Sequence, residues 1–170
     1  MSTDLDNFTG LSVVLTGIDQ ELLAPSVDPI GLPSTFLNFI GPRVGQSVLS
    51  ALLAQYAALA AEQATPQQIG TAILMQNGQP APTQTAQVAR AIMKLWLLGV
   101  WYQPYTQGAF PLGEQTVVSD EAYTQSWAWS IAQAHPMGYS EFFFGYWNSP
   151  PPSLEDFTGV TASTQPGASS

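Results

Sequence analysis

The chain has 170 residues, enough for one domain with its own core and few for two. Only 9% of the residues are charged, against about 25% in a typical soluble domain, and the formal net charge is −9 with three basic residues. This balance argues against a nucleic-acid partner, which needs clustered Lys and Arg, and the lack of cysteine excludes disulfides, thiolate catalysis and iron–sulfur clusters.

The first predicted helix runs from Asp4 to Thr16, where apolar residues recur at helical spacing and aspartates occupy the first turn. Gly17 is predicted to end this helix. The next segment, Asp19–Pro33, contains three prolines and is predicted to be irregular. A short helical piece, Ser34–Ile40, is predicted to follow it.

A second long helix is predicted to begin near Pro42, a good residue for a first turn. Its uncharged stretch, Val44–Ala61, is interrupted by polar residues and has periodic large apolar side chains. This pattern favours a packed helix over a membrane span, so direct membrane insertion is not expected. Thr65 is predicted to cap a shorter helix, Pro66–Gln76, which Asn77-Gly78 terminates ahead of a loop.

The next predicted helix covers about residues 83–98 and ends at Gly99. Arg90 and Lys94 are predicted to lie on its exposed face, most simply as a solvated face, and a contact with an acidic partner is the alternative. The segment Val100–Val118 is predicted to be extended or looped, because it contains two prolines and two glycines. The predicted buried face of the helix holds Val88, Ile92, Leu95 and Trp96.

Ser119 is predicted to cap a last long helix that ends at His135, ahead of a proline. Within a single helix, Trp127 and Trp129 are about 200° apart around the axis. The helix is therefore predicted to present tryptophan on two sides, one packed on the core and the other covered by the following aromatic loop or by a partner. Tyr123 and Ile131 are predicted to share the face of Trp127.

These elements predict an all-α fold, a compact helical domain of about five helices with a long aromatic-rich loop region. The domain is expected to span residues 1–155. Residues 156–170 are rich in Ser, Thr and Gly and are expected to form a disordered tail.

No arrangement of reactive side chains accompanies these elements. The chain lacks the glycine-rich motifs of dinucleotide and nucleotide sites. His135 is the only histidine, and the helix dipole explains its position at a predicted helix end. The alternative is a small hydrolase that uses His135 or a carboxylate pair. We therefore predict no catalytic residue, no cofactor-binding residue and no metal site in this chain.

Large aromatic residues are concentrated between Trp96 and Trp147, a stretch that contains all five tryptophans. Such residues dominate cores and interfaces, so the stretch is predicted to serve the core and a partner surface. An alternative is a stand-alone carbohydrate-binding module in which aromatic rings stack on sugars, and a further one is pairing of two copies. The predicted interface residues are Trp101, Tyr102, Trp129, Phe142, Phe143, Phe144 and Trp147.

At these residues the sequence resembles the small subunit of membrane-bound, FAD-containing sorbitol-type sugar dehydrogenases. The opening helix and turn, Leu11–Asp19, are similar as well, so the resemblance spans roughly Phe8 to Pro151. It is carried by an ordered set of residues: Ala91-Ile92, Trp96, Gly99-Val100-Trp101-Tyr102, Tyr123, Trp129, His135-Pro136, Gly138, Phe144-Gly145, Trp147 and Pro150-Pro151.

The resemblance implies an accessory role. In such complexes a large subunit of the glucose–methanol–choline oxidoreductase type holds FAD and oxidises the sugar or polyol, and a multihaem cytochrome c subunit often passes electrons onward. The small subunit supports maturation of the large one and often carries a twin-arginine export signal. This chain has no arginine before Arg43. We expect a periplasmic or membrane-associated complex. Either the partner then carries the export signal, or the sequence is a mature or trimmed form. A complex that stays in the cytoplasm is the alternative.

Overall fold

The computed structural model describes residues 3–104, 115–132, 134–136, 153, 155, 158 and 159. This part of the chain is largely helical, as predicted, and also contains two small antiparallel sheets of two strands each. The helices are α1 (Asp4–Thr16), α2 (Gln20–Leu23), α3 (Leu32–Val44), α4 (Gln46–Ala61), α5 (Pro66–Leu74), α6 (Gln84–Leu98), α7 (Asp120–Thr124) and α8 (Trp127–Ile131). The strands are β1 (Met75–Gln76), β2 (Gln79–Pro80), β3 (Val100–Tyr102) and β4 (Gln115–Val117).

Helix α1 has its predicted bounds because both of its ends are capped. The backbone N–H of Thr3 donates to Asp6 Oδ2 at 2.8 Å, and the backbone N–H of Asp6 donates to Thr3 Oγ1 at 3.2 Å. Hydrogen bonding to the Asp6 carboxyl, first from the Thr3 backbone N–H and then from the Thr3 side chain, lowers the pKa of that carboxyl. At the other end Gly17 takes a left-handed φ of 70°, which glycine adopts without a steric penalty.

The segment Asp19–Pro33 is more ordered than predicted. Its first residues form helix α2, because the side chain of Asp19 accepts a hydrogen bond from the Glu21 N–H at 2.9 Å and caps the turn. Two residues of the tail that was expected to be disordered lie against this helix. The Asp19 N–H donates to the Thr158 carbonyl at 2.8 Å, and an added Cβ on Gly159 would meet Asp19 Cβ at 3.0 Å.

The boundary predicted at Pro42 is wrong. Helix α3 begins at Leu32, two residues before its predicted start, and continues through Pro42 to Val44. The chain breaks instead at Gly45, whose φ of 86° lies outside the helical region, and α4 begins at the next residue. A proline close to the end of a helix therefore did not mark the boundary, and the glycine after it did.

The prediction of a helix as far as Gln76 is also wrong. Helix α5 begins at the predicted Thr65 cap but ends at Leu74, and β1 and β2 form a hairpin around Asn77 and Gly78. Both turn residues have positive φ, 52° and 74°, as a two-residue hairpin turn requires. The Arg90 guanidinium links this hairpin to α6, because it donates hydrogen bonds to the carbonyls of Leu74 at 2.7 Å and Ala81 at 2.9 Å. The Arg90 side chain therefore does not lie on a freely solvated face.

The last long helix is in fact two short ones, α7 and α8, separated at Gln125 and Ser126. Ser119 caps the first as predicted, accepting from the Ala122 N–H at 3.1 Å. In a continuous helix the Tyr123 carbonyl would accept from the backbone four residues ahead. Here it accepts from the Trp129 indole Nε1–H at 2.8 Å and from the Ser126 N–H at 3.3 Å. This indole bond accounts for the break.

The core is centred on α6, which packs against α1, α4, α5, α8 and β3. Its predicted buried face is confirmed, with Trp96 only 3% exposed and the other three residues fully buried. Fully buried side chains from the other elements include Phe8, Leu11, Ile18, Phe36, Ile40, Leu49, Leu52, Ile73 and Trp101.

Among the described residues, none of the helices combines the length and apolar character needed to cross a bilayer.

Candidate partner interface

Trp101, predicted to contribute to the core or to a partner surface, belongs to the core. It lies in the middle of β3, is 1% exposed, and meets the Phe39 ring edge-to-face at 6.4 Å between ring centres. Its indole N–H donates to Gln103 Oε1 at 2.7 Å. A ring this buried has no surface for a partner, and it cannot stack on a sugar as part of an open platform.

Tyr102, the next residue of the strand, points to the opposite side and is half-buried. The Lys94 ammonium lies 5.4 Å from the centre of its ring, within the range of a cation–π interaction. Together they line a groove of about 540 Å³ between α6 and the segment that follows β3. Of the predicted interface residues, Tyr102 is therefore placed at the surface.

Trp129 is half-buried and is covered in part from within the chain. Its ring packs edge-to-face against Tyr123, with ring centres 5.4 Å apart and planes at 81°. The break between α7 and α8 makes this contact possible, because it folds Tyr123 back over the indole. Part of the second tryptophan face is thus covered by a neighbouring helix, and not only by the loop or partner that the sequence suggested.

The remaining predicted interface residues, Phe142, Phe143, Phe144 and Trp147, lie outside the residues that the structure describes.

An apolar cleft of about 250 Å³ lies between α8 and the loop that joins α2 to α3. Trp96 forms part of its wall and packs edge-to-face on Phe36, with ring centres 4.8 Å apart. Trp127 of α8 also lines it and packs against the core. The other lining residues are Leu22, Leu23, Pro25, Asp28, Pro29, Ile30, Leu32, Gln125 and Ser130.

The loop on one side of this cleft is held in shape by Asp28. Its Oδ1 accepts hydrogen bonds from the N–H groups of Ile30 at 3.0 Å and Gly31 at 2.6 Å. Gly31 has a φ of 69° and precedes the first residue of α3, so the chain turns sharply into the helix. The turn presents apolar side chains outward: Val27 is 83% exposed and Ile30 is 40% exposed.

Trp96 Nε1 and Ser126 Oγ are buried and have no hydrogen-bond partner in the described part of the chain. Burying such a group unpaired costs about 1–3 kcal/mol. Trp96 is one of the residues that line the cleft, but its Nε1 is closed to solvent, so the cleft is offered here as a site for an apolar group.

His135 is half-buried, and its Nδ1 lies 3.1 Å from the carbonyl oxygen of Pro136. Among the described residues there is no group of three or more His, Asp or Glu side chains with the spacing of a metal site.

No family model, curated protein or solved structure matches this chain.

Trp96 and Trp127 were not among the residues predicted for the interface, although they form the wall of the cleft. The sequence placed Trp96 correctly on the buried face of its helix but could not show that a cavity adjoins it. A usable signal was present in the loop, where Pro25 and Pro29 flank exposed apolar residues. Prolines stiffen such a loop, and a stiff apolar loop is typical of a binding surface.

Proposed function

We propose that this chain is the non-catalytic accessory subunit of an FAD-dependent sugar or polyol dehydrogenase complex. It binds a flavoprotein large subunit of the glucose–methanol–choline type and supports its maturation and stability. The class of complex rests on the resemblance of the ordered aromatic residues between Trp96 and Trp147. The observation that carries the docking role is the apolar cleft walled by Trp96 and Trp127.

The cleft supports docking because exposed apolar side chains surround it. Leu22 and Ile30, 44% and 40% exposed, belong to its lining, and Ile131, 48% exposed, follows the lining residue Ser130 on α8. Scattered apolar residues are ordinary on a monomer, whereas a group of them beside a preformed pocket is typical of a protein contact. Pockets of this kind receive the anchoring side chain of a partner.

The proposed interface extends from this cleft along the aromatic segment. Tyr102 and Trp129 supply half-buried rings, and the aromatic loop Phe142–Trp147 is proposed to join the same surface. An obligate subunit interface buries about 2,000 Å² or more, which a single cleft cannot provide, so several such patches are needed. We propose a periplasmic or membrane-associated location for the complex, with a multihaem cytochrome c as a third component.

Co-expression tests the proposal. A glucose–methanol–choline-type flavoprotein from the same genome is produced with and without this chain. The measurements are its soluble yield, its FAD content per polypeptide from visible absorbance, and its sugar-dependent reduction of a dye. We expect all three to rise when this chain is present. Equal yield, equal FAD content and equal activity without it would contradict the proposal.

A matched pair of variants locates the contact. Ile30→Glu places a carboxylate in the cleft, and Met75→Glu places one on the β1–β2 hairpin at a residue of nearly the same exposure, 40% against 39%. Burying an unpaired carboxylate at an interface costs several kcal/mol, so Ile30→Glu should weaken the complex at least about tenfold. Met75→Glu should bind as the unchanged chain does. Equal effects of the two variants on co-purification would remove the cleft from the interface.

A further inference from the structure

Charge is distributed unevenly along this chain. Residues 29–113 contain all three basic residues and a single acid, Glu62, whereas the two flanking segments contain the other eleven acids and no lysine or arginine. The middle of the chain therefore carries a formal charge of +2 and the flanks carry −11, which together give the net charge of −9. Asymmetry of this kind points to a charged partner.

The fold brings two of the three cations to one groove, the groove of about 540 Å³ beside Tyr102. Arg90 and Lys94 both line it, one helical turn apart on α6. The third cation is engaged elsewhere: the Arg43 guanidinium lies 3.4 Å from the centre of the Phe39 ring and donates to the Phe39 carbonyl at 3.0 Å.

The two lining cations are held in place but not neutralised. Arg90 is fixed by its bonds to two backbone carbonyls, which carry no net charge. Lys94 is exposed and lies over the Tyr102 ring. Neither side chain has an ion pair with any carboxylate in the described part of the chain. An anionic group entering the groove would meet a preorganised positive field.

We propose that this groove binds an acidic peptide segment of the partner protein, with glutamate or aspartate side chains on Lys94 and Arg90. The inference rests on the proposed docking function and adds the chemistry of the partner. Pro82 and Pro104 of the lining give the walls of the groove a fixed shape. Tyr102 provides an apolar surface for the stem of an acidic side chain.

The occupant is a segment of another protein and not a second copy or a nucleic acid. Two copies would each carry a net charge of −9 and repel each other, and a head-to-tail contact between unlike poles would give rings or filaments and not a simple dimer. A nucleic acid meets the same repulsion and would find only three cations on the whole chain.

The first test titrates the ¹⁵N-labelled full chain with an octaglutamate peptide in low salt and follows the amide resonances. We expect shifts at Arg90, Lys94, Tyr102 and Gln103 that disappear at high salt, because screening weakens exposed charge pairs. An octalysine peptide should leave these four resonances unchanged. Shifts confined to other residues, or equal shifts with both peptides, would overturn the proposal. So would stronger competition by a single-stranded RNA than by the peptide, or concentration-dependent dimers in sedimentation.

The second test uses the complex with the flavoprotein. Lys94→Gln and Gln67→Glu each make the net charge more negative by one, but Gln67 is exposed on α5 and is not among the groove residues. Lys94→Gln should weaken the complex about fivefold and Lys94→Glu by more, whereas Gln67→Glu should have little effect. If a complex forms and all three variants bind alike, the groove proposal fails while the proposed function stands. If no flavoprotein binds but octaglutamate still shifts the groove resonances, the proposed function fails and the acidic-peptide site stands.

Discussion

Two regions of the molecule differ in how far they bury their apolar side chains. One region is the helices α1 and α3–α6, and the other is the C-terminal layer, defined as β3, β4, α7 and α8. Each of the former helices has large side chains that are fully or almost fully buried. Helix α8 has no buried residue, and α7 buries only Ala122. In the same layer Val117 and Ile131 are 50% and 48% exposed.

This difference separates the part of the chain that buries its apolar side chains internally from the part that leaves apolar surface available for other contacts. The helical core buries its apolar area within the chain, which is the main source of folding free energy. The contacts that join the layer to that core include the Trp101 ring, the close approach at Gly99, and Trp127 packed against the core, while Tyr123 packed on Trp129 holds α7 to α8 within the layer. We expect the loss of unfolding free energy caused by a substitution at these contacts to increase with the amount of buried core that the substitution disturbs.

The largest loss of stability is expected for Trp101→Ala. The substitution empties a fully buried indole site between the core and the layer and removes the hydrogen bond to Gln103. Truncating a buried tryptophan costs about 3–5 kcal/mol of unfolding free energy, measurable by denaturant titration. Val117→Ala in the partner strand β4, at a half-exposed residue, should cost less than about 0.5 kcal/mol. Similar small losses for both would show that Trp101 belongs to the surface.

Gly99→Ala should separate the layer from the core. Gly99 has a φ of 66°, and an added Cβ would meet the Ala122 carbonyl oxygen and approach Tyr123 Cα to 2.7 Å. Left-handed strain and a clash with backbone together should cost about 2–4 kcal/mol. Gly78→Ala has the same strain, at φ 74°, but open space around the Cβ, so it should cost only about 1 kcal/mol. Equal denaturation midpoints for the two variants would contradict the close approach of α7.

A smaller effect is expected for Trp129→Phe. A phenylalanine can keep the packing on Tyr123 but cannot donate to its carbonyl, so one hydrogen bond worth about 1 kcal/mol is lost. Trp127→Phe removes the same ring volume from a tryptophan that makes no hydrogen bond with the described residues. The unfolding free energy of the first variant should be the lower of the two. The reverse order would mean that the indole bond does not stabilise the break between α7 and α8.

Much of the helical core could be predicted from the sequence because its signals are local. Thr65 marks a helix start by its side-chain cap, Gly99 marks a helix end by its left-handed backbone, and the buried face of α6 follows from its periodicity. The break at Ser126 could not be predicted, since it depends on an indole N–H six residues from the carbonyl it reaches. The cleft beside Trp96 could not be predicted either, because its walls come from a loop and two helices that are far apart in the chain.

The smallest predicted effect is a pH dependence at the crossing of α1 and α4, inside the helical core. Tyr56 packs directly over Gly10, where an added Cβ would lie 2.7 Å from Tyr56 Cζ, and burial raises the pKa of the Tyr56 hydroxyl above the ordinary 10.0.

A raised pKa in the folded state means that the neutral phenol is favoured by folding. Its contribution is complete below pH 10.0 and is lost as the pH rises through the folded-state pKa. Asp6 and Asp28 also line the groove beside Tyr56. Denaturant titrations from pH 8 to pH 11 should therefore show a steeper fall in stability for the unchanged chain than for Tyr56→Phe, which has no proton to lose. Because the two proteins differ only at residue 56, the difference between their profiles reports on this residue. Parallel pH profiles would show that the hydroxyl is fully hydrated and that the helix crossing is looser than the contact with Gly10 requires.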